Sequence, residues 1–242
     1  MSKCYRCDAE ATSVDHVPPR CLFPEKKDLP EVDYRRNLIT VPSCETHNCA
    51  RSHDDEYLLC VLVASYENNP VAHQHFATKI IRLLRKKPHF QATLLKFLTP
   101  VLLNDEETAA FKVDLPRLRI VLEAIAYGLH FHTYKEQWLG EIKVIPLGMF
   151  KEEGAAFIRH PQEETMLEGS KVFFADKEQH GENPDIFLYQ IHRDLDEGLL
   201  VLKMIFYGGL EVIALSSPKI AKVMASTDVN TDAANNAAQA TP

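Results

Sequence analysis

Two short pairs of metal-ligating residues open this sequence: Cys4-Tyr5-Arg6-Cys7 and Cys44-Glu45-Thr46-His47. Each pair has two residues between its ligands, so each can close on one ion. Three thiolates and an imidazole at this spacing suit tetrahedral zinc. The alternative is ordinary buried thiols with a surface histidine. Cys49, close to His47, offers a substitute fourth ligand. Between and beside the pairs lie Asp15-His16, Asn37 and Asn48. Asp15 and Asn48 carry hard oxygen donors of the kind Mg²⁺ or Mn²⁺ takes. His16 carries a base that titrates near neutrality. An ion that neutralises a phosphate, next to a group that activates water, is the equipment of phosphodiester hydrolysis. Taken singly, Asp15 reads as a turn residue against the prolines and His16 as a satisfied polar core residue. Their combination with the two pairs and Asn48 favours a site.

Short elements must position these residues. Ser13–Val17 reads as a strand stopped by Pro18-Pro19, and Asn37–Val41 as a second stopped by Pro42. A helix is expected after Asn48, running to about Tyr66. This segment has too little apolar mass to fold well alone, and a structural metal would help. Asn69-Pro70 caps and opens the next helix. Pro88 opens another, Phe90–Leu103, bent near Pro100. A fourth spans about Leu115–Leu129 behind Asp114. Strands are expected at Ile142–Ile145, Lys171–Ala175, Ile186–His192, Leu199–Tyr207 and Leu210–Leu215, with Gly208-Gly209 marking a hairpin. The expected fold class is therefore α+β: an N-terminal zinc module, central helices, and a C-terminal antiparallel sheet packed with a helix.

Cys4-Tyr5-Arg6-Cys7, Asp15-His16-Val17-Pro18-Pro19 and Asn37-Leu38-Ile39-Thr40-Val41-Pro42-Ser43-Cys44-Glu45-Thr46-His47-Asn48, in this order, resemble a zinc-knuckle HNH endonuclease of the ββα-metal group. The likeness covers about residues 4–57. It implies structural zinc on Cys4, Cys7, Cys44 and His47, and a catalytic Mg²⁺ or Mn²⁺ on Asp15 and Asn48. It places the general base on His16 and the loop-bracing asparagine on Asn37. The second knuckle ends in His47 where the family more often has cysteine, and the last position of the motif is an asparagine here. Ser52 and His53 are further possible helix ligands. The competing expectation is a non-catalytic zinc module that binds nucleic acid or a protein; a third is a nuclease silent until a trigger arrives.

The chain has 242 residues, 45% hydrophobic, with a formal net charge of −7. That excludes a surface coated in positive charge for indiscriminate DNA binding. The positive charge is local: no acid occurs from Asn68 to Asn104, where Lys79, Arg82, Arg85, Lys86, Lys87 and Lys96 fall. Arg82, Arg85, Lys86 and Lys87 are the expected nucleic-acid contacts, with a solvated helix face as the bland reading. All six cysteines lie in the first 60 residues, which favours metal over disulfides in a cytoplasmic chain. Cys21 and Cys60 read as small buried hydrophobes, and Asp54-Asp55-Glu56 as an acidic first helical turn.

No stretch approaches the ~20 apolar residues of a membrane span, and no signal-peptide core follows Met1. Four units are expected: the nuclease module (1–66), a basic helical segment (67–104), an α+β unit (105–226) and a disordered tail (227–242). The α+β unit has no phosphate-cradling glycine loop, Ser-His-Asp pattern or dinucleotide fingerprint. His130, His132 and Trp138 read as structural there. This unit is the expected place for a protein partner or a homodimer contact.

Overall fold

The computed structural model describes residues 2–48, 52–65, 67–89, 91–92, 98–103, 106–153, 156–159 and 161–218. The expected tail at 227–242, Cys49 and Lys96 lie outside them. The fold is α+β. It opens with a hairpin of β1 (Ser13–His16) and β2 (Thr40–Ser43), antiparallel, with Ser13 opposite Ser43 and His16 opposite Thr40. A one-turn helix α1 (Glu45–Asn48) and α2 (Ser52–Val63) follow. The helical start is thus earlier than expected, at Glu45, so that His47 and Asn48 both ride on α1. The second strand also starts later than expected, and Asn37 sits before it in a turn with φ 51°.

Next comes a run of α3 (Pro70–His75), a π-helical turn (Phe76–Ile80) and α4 (Ile81–Lys86). As expected, Asn69 caps it, its side chain accepting from the Ala72 amide at 3.1 Å. The helix expected over Phe90–Leu103 is corrected at its end: Leu98–Leu103 is a strand, β3, paired antiparallel with β4 (Glu106–Phe111).

Helix α5 (Leu115–Tyr134) is the spine of the molecule. Asp114 accepts from the Arg117 amide at 3.1 Å, and Lys135 ends the helix in the left-handed conformation. Leu118, Val121, Leu122, Ile125 and Leu129 recur every three or four residues and are at most 2% exposed. This stripe meets α2 on one side and a five-stranded antiparallel sheet on the other. The sheet runs in the order β5 (Lys143–Leu147), β11 (Leu210–Ser216), β10 (Leu199–Phe206), β9 (Phe187–Asp194), β8 (His180–Asn183). The hairpin between β10 and β11 turns at Tyr207 and Gly208, both at positive φ, closed by Gly209 N–H to the Phe206 carbonyl at 3.0 Å. A second correction concerns Lys171–Ala175, expected as a strand: it forms the end of helix α6 (Pro161–Phe174) and the turn after it. Before α6 lies a small hairpin of β6 (Phe150–Glu153) and β7 (Ala156–Arg159). Among the described residues, no helix is long and apolar enough to cross a membrane.

One apolar cluster includes Cys4, Tyr5, Val41, Leu58, Ile80, Leu122 and Leu202, drawn from every major segment. Polar ties reinforce it. Tyr207 donates its hydroxyl to the Leu22 carbonyl and receives the Nδ1 proton of His75 at 3.0 Å. His75 is fully buried, and its Nε2 has no hydrogen-bond partner among the described residues. His130, also fully buried, donates from Nδ1 to the Glu136 carbonyl at 3.1 Å and faces Arg193 with Nε2 at 3.4 Å. Both rings are therefore built to stay neutral, His130 as the structural histidine expected. Burial pushes His75 down to about 3 and His130 down to about 4. An unfolded chain protonates both near 6.5, so it binds more protons than the native state between that value and the depressed ones. Their contribution is complete above about pH 6.5 and is lost as pH falls toward 3, at ~1.4 kcal/mol per pH unit for each ring. The imidazole NMR signals of His75 and His130 are expected to keep neutral-ring shifts at pH 5. Ordinary charged-ring shifts there would refute the buried arrangement.

Candidate metal centre and active site

The first knuckle is a tight turn. Cys4 N–H bonds to Ala9 O and Ala11 N–H to Ser2 O, each at 2.9 Å. The second begins as β2 gives way to α1: His47 and Asn48 amides both bond to the Cys44 carbonyl, at 3.2 and 3.1 Å. One helical turn therefore sets Cys44 and His47 on one side. Backbone bonds from Tyr5 to Pro42 (2.8 Å) and Thr12 to Ser43 (3.0 Å) join the knuckles.

The result is a compact donor set. The ligand atoms of Cys4, Cys7, Cys44 and His47 lie within 4.8 Å of one another. Cys7 Sγ and Cys44 Sγ are 3.8 Å apart; His47 Nδ1 is 3.5 Å from Cys4 Sγ and 3.3 Å from Cys44 Sγ. A tetrahedron with Zn–S of ~2.3 Å and Zn–N of ~2.0 Å requires edges of about 3.8 Å between sulfurs and about 3.5 Å from sulfur to nitrogen. The cluster fits a zinc ion, with His47 as fourth ligand through Nδ1. Among the described residues it is the cluster found that could hold a metal ion.

Gln137, just past α5, donates its amide to the carbonyls of both Cys4 (2.6 Å) and Cys7 (2.8 Å). It fixes the knuckle to the spine, and Arg6 from the same knuckle lies over the Tyr127 ring at 4.7 Å. Nothing in the local sequence announced Gln137, because its partners are backbone carbonyls some 130 positions away.

Asp15 and His16 close β1. Alternation sends neighbouring side chains to opposite faces. Asp15 is 6% exposed, whereas His16 is half-buried and makes no side-chain hydrogen bond among the described residues. Burial, then the Arg20 and Arg35 charges, lower the His16 pKa below the usual histidine value. Asn48 reaches from α1 to the same strand: its Nδ2 donates to Ser13 Oγ at 2.9 Å and to the Val14 carbonyl at 3.1 Å. That carbonyl can only accept, so the amide nitrogen must face β1, leaving Oδ1 as the free donor atom. Asn37 makes no side-chain hydrogen bond among the described residues. Its left-handed backbone explains an asparagine there. Ser52 and His53 start α2 and are exposed.

Val17, the residue after His16, is 2% exposed and packs directly on α5. A Cβ on Gly128 would stand 2.6 Å from Val17 Cγ2 and 3.0 Å from Cγ1. Alanine would improve helix propensity by ~1 kcal/mol, but valine is stiff at χ1 and both of its γ-methyl groups stand in the way. Overpacking of ~1–3 kcal/mol outweighs the gain. Gly128→Ala is expected to lower the unfolding midpoint and to move the His16 imidazole resonances. An unchanged midpoint would show that β1 gives way easily.

The basic helix looks different folded than in sequence. Lys79 donates to the Cys21 carbonyl at 2.9 Å, and burial lowers its pKa. Arg82 grips Asp28 through two bonds, 2.7 and 2.9 Å. Lys87 pairs with Glu56 at 2.6 Å. Asp54, of the same acidic turn, pairs with Arg117 at 2.5 Å. Arg85 and Lys86 are exposed. The acids missing from the helix's own sequence come from the N-terminal segment, so much of this charge glues the helix down. Burial pushes the Cys21 and Cys60 thiols up to about 12, consistent with small hydrophobic fillers. Trp138 packs on the core and donates to Ser216 Oγ at 2.9 Å.

Comparison of the chain with protein-family models, with curated proteins and with solved structures gives no match.

Proposed function

We propose that this chain is a metal-dependent endonuclease of the HNH type, hydrolysing phosphodiester bonds in DNA. The observation that carries the reading is the bonding of Asn48 to β1. It brings the helix-borne oxygen donor to the strand that carries Asp15, with Val14 as its partner 34 positions earlier, and His16 follows at the end of that strand. The zinc-type cluster beside it supports the reading, because it supplies the rigidity that so short a ββα unit lacks.

In this reading each side chain has one task. Asp15, buried and fixed by β-pairing, and Asn48, fixed through its amide nitrogen, present oxygens to a divalent ion. Two protein oxygens suit Mg²⁺ or Mn²⁺, which keeps waters and takes its remaining ligands from substrate phosphate. When bound, that ion supplies Lewis-acid stabilisation of the charge on the phosphate and on the departing sugar oxygen. His16, with no partner to occupy its ring nitrogens, accepts the proton of the attacking water.

The test is a supercoiled-plasmid assay with the purified full chain in Mg²⁺ or Mn²⁺. Nicking that stops when the divalent ion is withheld is expected. Intact plasmid under all metal conditions, with the zinc site loaded, would return the protein to the class of non-catalytic zinc modules.

A further inference from the structure

On the helix face that looked like a phosphate track, Arg82 and Lys87 are committed to Asp28 and Glu56, while Arg85 and Lys86 stay exposed. A protein of net charge −7 that holds nucleic acid needs free positive charge close to the bond it presents. The loop joining β1 to β2 supplies it. The loop's two ends are pinned together by Val17 N–H to the Ile39 carbonyl at 3.0 Å, directly beyond the His16–Thr40 pair. Arg20 lies four residues past His16, at the start of a 3-10 turn (Arg20–Leu22), and Arg36 lies four residues before Thr40. These two turns touch. Arg35 donates from Nε to the Phe23 carbonyl at 3.0 Å, while Phe23 N–H bonds back to the Arg20 carbonyl at 3.2 Å. The Arg36 carbonyl is held by Asn183 Nδ2 at 3.3 Å, from the edge strand of the large sheet.

The neighbouring cation is not available. Arg35 spends its guanidinium on Phe23 and on Glu25, at 3.3 Å. Glu25 also takes Lys27, and Asp28 takes Arg82, so these two loop acids are already neutralised; Glu31 and Asp33 of the same loop are exposed acids, Asp33 accepting from the Arg35 amide at 3.2 Å. Arg20 and Arg36 are different. Both are exposed, and neither side chain has a hydrogen bond or ion pair among the described residues. Two unengaged guanidinium groups thus stand on ordered backbone at the His16 end of the hairpin. Such groups grip phosphate oxygens in fork geometry.

We infer that Arg20 and Arg36 are the phosphate-gripping pair of the active-site end, holding backbone phosphates of nucleic acid on either side of the bond presented to His16. This rests on the nuclease reading for the word active, but the binding claim is separable from it. The C-terminal sheet then has a task in substrate binding, because its edge strand sets the turn that carries Arg36.

The test is binding of a fluorescein-labelled, mixed-sequence DNA duplex by fluorescence anisotropy across a salt series. It uses the full zinc-loaded chain without added Mg²⁺ or Mn²⁺. Arg20→Gln and Arg36→Gln are each expected to weaken binding several-fold and to reduce the slope of log affinity against log salt by about 1. The double variant should lose about 2. Zinc content and the unfolding midpoint of these variants should match wild type, because both side chains are exposed and make no hydrogen bond or ion pair among the described residues. Wild-type affinity and slope in both variants would overturn the inference, as would absence of duplex binding by wild type. The plasmid assay separates the two claims. Cutting by wild type with unaltered binding in the variants sinks the grip alone. Arginine-dependent binding without any cutting supports the grip and sinks the nuclease reading.

Discussion

Removing the metal from Cys4, Cys7, Cys44 and His47 is expected to unfold the N-terminal quarter of the chain and to loosen the rest. The magnitudes decide this. Structural zinc contributes ~10–16 kcal/mol in small domains at neutral pH, whereas a whole domain is stable by only ~5–15 kcal/mol. The elements that the cluster holds could not replace it: two four-residue strands and a four-residue helical turn. Cys4 and Cys44 are themselves buried in the main apolar cluster, and Gln137 bonds to the Cys4 and Cys7 carbonyls. Disorder in the knuckles would therefore reach the end of α5. Purified protein should carry one zinc per chain by elemental analysis. A strong chelator should drop the unfolding midpoint sharply, and Cys44→Ser should reproduce the loss without chelator. Thiol titration offers an independent measure: chelation should release reactive thiols from the cluster, while Cys21 and Cys60, pushed up to about 12, stay slow. A metal-free chain with an unchanged midpoint would show that the cluster is only a group of buried thiols.

The parts legible in the sequence were those written in short-range spacing. Ligands two residues apart close on one ion whatever the rest of the chain does, so Cys4, Cys7, Cys44 and His47 could be read directly. The sheet strands from Phe187 to Ser216 were legible because apolar residues recur along them and a glycine pair marks the turn. Short apolar runs were not. Leu98–Leu103 reads as helix in the sequence but is a strand, while Lys171–Ala175 reads as a strand and mostly belongs to a helix. Runs of five or six apolar residues carry too few periods to separate the two states. The signal missed in the second case lay upstream: Met166, Leu167 and Phe174 fall on one helical face and pack together. Long-range partnerships left no local trace. Asp28 taking Arg82, Gly128 making room for Val17, and Gln137 clamping the knuckle each join residues remote in sequence. This is why the ion pairs that Arg82 and Lys87 make with the N-terminal segment cannot be read from the basic helix's own sequence.

On the proposed nuclease reading, replacing His16 with alanine is expected to lower the cleavage rate by ~10²–10⁴-fold, the range for losing a positioned general base. The fold should not notice. The ring is half-buried and bonds to nothing among the described residues, so zinc content and unfolding midpoint should stay at wild-type values. That combination separates a catalytic residue from a structural one. Asp15→Asn makes the complementary case. It keeps the shape of a buried side chain but removes the charge that attracts a divalent ion, so cleavage should fall and need far more Mg²⁺ to recover. Asn48→Ala should combine both defects, since it removes an oxygen donor together with the bonds to Ser13 and Val14. A partial loss of stability of ~1 kcal/mol per bond should accompany its loss of activity. If His16→Ala cuts at the wild-type rate with the same metal dependence, the base is another group. If Asp15→Asn keeps the wild-type Mg²⁺ requirement, the divalent ion binds elsewhere. The three variants together test the proposed division of base, metal charge and strand-to-helix bracing among His16, Asp15 and Asn48, the last of which the fold ties to the strand that carries the other two.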